Sequence, residues 1–128
     1  MDFYLTKHLQ GDFDSIINQV IEELSKNGFG IITTIDIKDT FKKKLDVDYR
    51  KYRILGACNP HFAYQALLEE DKIGVMLPCN VIIQEHKSGH VEVSAINPVF
   101  TMKYMENANL IDFAAHVSRS LQTVLDNL

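Results

Sequence analysis

Two segments of this chain carry apolar residues at helical spacing and leave polar residues on the opposite side. Between Phe13 and Asn27, the stripe is Phe13, Ile16, Ile17, Val20, Ile21 and Leu24, with Asn18, Gln19, Glu22 and Glu23 facing away. Near the C-terminus, Leu110, Phe113, Ala114, Val117, Leu121, Val124, Leu125 and Leu128 repeat the pattern. Such stripes must be buried, and the rest of the chain offers strands to bury them against. Two long amphipathic helices laid on one sheet face define an α+β two-layer domain. The 128 residues form one domain over 1–128 by length, enough for a core without disulfides, and no linker-like stretch divides them.

The remaining elements follow from periodicity and breakers. Residues 3–9 alternate as a first strand, with Phe3, Leu5 and Leu9 on one side; Gly11 ends it and Asp12 can cap the first helix. Asn27-Gly28 stops that helix. Phe29, Ile31, Thr33, Ile35 and Ile37 alternate with polar residues as a second strand packed on one face, and 40–45 is a short charged helix anchored by Phe41 and Leu45. A third strand runs from about Lys51 to Cys58, with Tyr52, Ile54, Gly56 and Cys58 on one face. Asn59-Pro60 suits an N-cap followed by proline in the first turn of a helix reaching Asp71, with Ala63, Ala66 and Leu67 as its narrow stripe. Residues 73–85 read as a strand interrupted at Pro78, Ser88-Gly89 marks a hairpin, Asn97-Pro98 ends the last strand, and Asn109 caps the final helix.

Charge and composition exclude several classes of function. Net charge is −4, so the chain lacks the basic surface of a general nucleic-acid or anionic-membrane binder. Its one basic cluster, Lys42-Lys43-Lys44, is ringed by Asp39, Asp46 and Asp48 and reads as a solvated helix face. The longest apolar stretch, Ile73 to Ile83, is too short and too broken to span a bilayer, and the first residues lack a signal-peptide pattern. The expected location is cytoplasmic, where the two cysteines stay reduced or bridge only reversibly. No phosphate-binding glycine loop, nucleophile elbow or His-Glu-x-x-His motif occurs.

The chemistry-bearing feature is a pair of mirrored motifs, Ala57-Cys58-Asn59-Pro60 and Leu77-Pro78-Cys79-Asn80. Beside a helix N-terminus, Cys58 meets a field that favours a thiolate, and a small anion would be welcome there too. Pro78 removes a ladder donor and exposes local backbone beside Cys79. If strands 51–58 and 73–79 are parallel, the thiols come out level on strands roughly 5 Å apart, or about 10 Å with one between; if antiparallel, Cys79 lies about 20 Å along its strand from the turn, and only the parallel arrangement is expected to make a shared site. Cys58, His61 and Cys79 form a third possibility, a soft site for zinc or copper, without an evident fourth ligand. His86 and His90 straddle the Ser88-Gly89 turn and could face each other across the hairpin, but solvation is the expected state.

The runs Tyr52–Pro60 and Ile73–Val81, with Ala66-Leu67 and Ile96-Asn97-Pro98, together resemble the domain of unknown function 302 family. The resemblance spans nearly the whole chain. It implies a fold similar to the TATA-box-binding-protein-like group, with a curved, antiparallel-rich sheet covered by helices, and it makes dimers plausible. It maps motif positions onto Cys58, Asn59, Pro60, Pro78, Cys79 and Asn80 and brings no role or enzymatic activity with them.

Three readings therefore stand. One is a small-molecule or thiol-handling module using the paired motifs. Another is a dimerising or partner-binding module with packed, inert cysteines, and the third is a metal-binding protein. A homodimer is expected through an edge strand or a sheet face, because the apolar side of the C-terminal helix is committed to the core.

Overall fold

The computed structural model describes residues 2–128. Five strands, β1 (Tyr4–Leu9), β2 (Gly30–Asp36), β3 (Tyr52–Cys58), β4 (Cys79–Glu85) and β5 (Val91–Ile96), form one sheet in the order β1-β5-β4-β3-β2, every neighbouring pair antiparallel. The helices are α1 (Phe13–Lys26), α2 (Ile37–Leu45), α3 (Pro60–Glu69), α4 (Pro98–Met102) and α5 (Ala108–Asp126), and a 3₁₀ helix covers Asp71–Met76. The α+β class is thus realised as an open, fully antiparallel sheet.

The two long helices bury the stripes that define them. Val20, Leu24, Leu121, Val124 and Leu125 are each at most 1% exposed against Leu55, Val81, Ile83, Val91 and Val93 of the strands. Each side chain of this size contributes about 1.5–3 kcal/mol on full burial, so the helix–sheet layer is the main source of stability. Asp12 caps α1, its carboxylate accepting the Ser15 N–H at 3.0 Å. At the other end Gly28 turns the chain with φ +86°, a conformation that a Cβ disfavours. A smaller core of Ala66, Ile73, Met102, Leu110 and Ala114 joins α3, the 3₁₀ helix, α4 and α5.

Several boundaries differ from the sequence expectation, each for a local reason. Phe3 is 59% exposed and precedes β1. Register shifts between Ile31 and Thr33, so β2 does not keep one apolar face, and Ile37 opens α2 because Asp36 caps it through the Asp39 N–H. In α2, Leu45 is 65% exposed and anchors nothing; Phe41 instead meets the edge of the Tyr49 ring. On α3 only Ala66 is buried. Asn107, not Asn109, caps α5, its side-chain oxygen accepting the Asn109 and Leu110 N–H groups.

The largest correction concerns residues 73–79. They form no strand parallel to 51–58: the 3₁₀ helix occupies 71–76, and β4 begins only at Cys79 and runs antiparallel to β3. Ile73 is buried while Val75 is 89% exposed, so this apolar run had neither the alternation nor the two-sided burial of a strand. Among the described residues, no helix is long and apolar enough to cross a membrane.

Candidate functional site

Antiparallel pairing places the end of β3 beside the start of β4. Ala57 pairs with Cys79, so Cys58 is one residue from the position directly across from the second thiol. The antiparallel alternative had Cys79 far along its strand; the 3₁₀ helix removes that separation by delaying the strand to Cys79 itself. Both cysteines are free and partly buried.

They line one cavity of about 40 Å³. Asn59 and Pro78 join them from the two motifs; Phe62 on α3, Met102 on α4, and Phe113 and Val117 on α5 close the other sides. A single water needs about 10–15 Å³ of such space, so the cavity holds a few waters or a molecule of about three heavy atoms. The walls are overwhelmingly apolar, which favours the second kind of occupant. Burial pushes the Cys79 thiol up to about 11, and a charge on Cys58 would push it the same way. At neutral pH Cys79 is therefore a neutral thiol, a soft contact rather than a nucleophile.

The flanking motif residues have structural work. The Asn59 side-chain oxygen accepts the N–H groups of His61 (3.2 Å) and Phe62 (3.4 Å), its carbonyl accepts that of Ala63 (2.9 Å), and Pro60 has none. No N–H at this helix start remains for the anion that the sequence position invites. Pro78, which follows a cis peptide bond, packs where a Gly56 side chain would otherwise lie. Asn80 is exposed and lines a separate groove with Val75 and Ile96. His61 is exposed, and among the described residues no three His, Cys, Asp or Glu side chains are placed to hold a metal ion, so the Cys58, His61 and Cys79 set does not assemble.

Sequence reasoning missed Pro98 and Met102 as cavity walls. A signal existed: Asn97-Pro98 repeats Asn59-Pro60, and Asn97 caps α4 as Asn59 caps α3, accepting the Val99 N–H at 3.2 Å. The same oxygen also accepts the Ser118 hydroxyl at 3.2 Å, tying α4 to α5.

A family model described as "Domain of unknown function DUF302" matches residues 5–128. The chain belongs to the DUF302 family. Its fold is similar to the crystal structure of an uncharacterized conserved protein DUF302 from Bacillus stearothermophilus, with a TM-score of 0.91, 24% identity, and 98% of each chain covered. No curated protein matches this DUF302 chain. The family and the shared fold carry no assigned activity, so the reading of the cavity rests on its own chemistry.

Proposed function

We propose that this DUF302 domain binds a small apolar molecule in the cavity beside Cys58 and Cys79, with the thiols as polarisable wall contacts. The observation that carries this reading is the convergence of both cysteine motifs on one apolar cavity large enough for a few heavy atoms. The raised Cys79 thiol favours binding over thiolate chemistry. Xenon is a suitable probe, since dry apolar cavities take it up. Under xenon pressure the methyl signals of Met102, Val117 and Ala114 should shift together, and in an Ala63→Leu variant, which fills the cavity from α3, they should not. Unmoved methyls in the wild type, or equal shifts in the folded variant, would leave the cysteines as inert packing.

A second reading, a homodimer through the sheet face without helices, has its own support. Ile35, Ile54 and Ile82 are cross-strand partners in one row, which continues to Ser94 and Thr6, and Ile35 is 44% exposed. A two-fold partner copy would cover this row with its own. Light scattering at tens of micromolar should give a dimer for the wild type and a monomer for Ile35→Glu. A monomeric wild type, or a dimer joined only through residues 110–128, rejects this assembly.

A further inference from the structure

The sheet face without helices carries, at its hairpin end, a cluster that the cavity does not use. Cross-strand pairing lines up His8, Glu92, Gln84 and Tyr52 on four successive strands. Around the Glu92 carboxylate, whose side chain is 18% exposed, His86 Nε2 stands at 2.8 Å and His8 Nε2 at 3.7 Å. The Thr6 hydroxyl donates to it at 3.1 Å and the Gln84 amide at 3.2 Å. The His90 ring is stacked on that of His86, centres 4.5 Å apart, and tilted by 50° against that of His8, centres 5.2 Å apart. His86 and His90 are thus half-buried and face each other, while residues 87–89 between them stay exposed. Among the described residues no group of three His, Cys, Asp or Glu side chains is placed to hold a metal ion.

We propose that this cluster is a proton-operated latch that holds the C-terminal end of β1 and the 86–90 turn onto the sheet and releases them in acid. Imidazoles change charge between about pH 5 and 8. A proton on His86 or His8 meets the Glu92 carboxylate. A proton on His90 meets none: its Nδ1 faces the Ser88 hydroxyl, and its ring would lie beside two cations. Like charges this close repel, and His90 is the ring that must move. Other neighbours do not relieve this. Lys87 adds positive charge from the turn, and Arg50 reaches the Gln84 oxygen at 3.3 Å. Lys7 reaches the Leu128 main-chain oxygen at 2.9 Å, and Tyr52 sits in the same row. Burial alone would raise the Glu92 carboxyl, yet hydrogen bonds from His86 and Thr6 and the nearby imidazole charges bring it below its ordinary value. Glu92 therefore keeps its carboxylate further into acid than an ordinary glutamate and remains the one negative charge facing the three imidazoles.

β1 is vulnerable because it is an edge strand whose one ladder partner is β5. Hydrogen exchange of the His86 amide, which donates to the His90 carbonyl at 2.9 Å, and of the β1 amides reads the latch directly. After correction for intrinsic exchange, their opening should rise about tenfold or more between about pH 7.5 and about pH 5 in the wild type. The rise should be less than about twofold in His90→Asn and intermediate in the conservative surface variant His8→Gln. The Leu55 amide, in the middle of the sheet, should not follow. No rise in the wild type, an equal rise in both variants, or a parallel rise at Leu55 would overturn the latch. None of these outcomes depends on whether the cysteine cavity binds a ligand.

Discussion

In a Cys58→Ser variant, Cys79 should react with iodoacetamide up to about a hundredfold more slowly at neutral pH than an unhindered thiol of ordinary acidity. The factor follows from a thiol held near 11 against an ordinary 9.0, because only the thiolate attacks. Burial is the main cause and survives the substitution; removing Cys58 deletes only the smaller repulsive contribution. The same shift makes stability pH-dependent. A folded pKa above the unfolded one means that the native state holds its proton longer. The contribution is complete below about pH 9 and is lost as pH rises through about 11, a difference on the order of 3 kcal/mol. Tyr52, raised chiefly by burial, adds a slope of the same sign. The comparison is therefore between the wild type and Cys79→Ala, whose urea stabilities should converge in that window. Alkylation at the rate of free cysteine, or parallel pH profiles for the two proteins, would sink the assignment of Cys79 as a buried neutral thiol.

Gly56→Ala should lower stability by about 1–3 kcal/mol, the range for overpacking a well-filled site. A Cβ at Gly56 would stand 2.0 Å from the Thr33 hydroxyl oxygen and 2.8 Å from Cγ of Pro78. Thr33 can rotate away, but the Pro78 ring is tethered to the residue that begins β4. The urea midpoint should fall with little change in slope. Adding Thr33→Ala should recover part of the loss but not all, because the Pro78 contact remains, and that non-additivity is the signature of direct contact. A midpoint equal to the wild type would show that the approach of β2 and Pro78 over Gly56 is looser than the geometry requires.

These two results bear on the same corner of the fold. Cys79, Pro78 and Gly56 bring β3 and β4 together where the cavity opens, and the motif that looks chemical in sequence is partly architectural. Asn59 and Pro60 start a helix, and Pro78 fills the space that Gly56 leaves. Cys79 packs against the main core, and the two thiols together also line the cavity. That is why the cavity reading rests on them and on the walls around them.

Local information in the chain was enough for the amphipathic helices, the Asp12 and Asn59 caps, the Gly28 stop and the hairpin after β4, because each is decided by neighbours a few residues apart. The paired cysteine motifs were visible in the same way, as were the mixed α+β class and the DUF302 membership. Strand direction was not. An apolar run such as Ile73–Met76 suits a strand or a buried turn of helix equally well, and only the burial of Ile73 against α4 and α5 selects the 3₁₀ form. From that choice follow the antiparallel pairing of β3 with β4 and the meeting of Cys58 with Cys79. The histidine cluster has the same origin: His8 and His90 are 82 positions apart in the chain, and only the pairing of β1 with β5 brings their rings together. Periodicity and capping are properties of short segments. Register and long-range contact are properties of the packed sheet, because they are settled by which surfaces exclude water together.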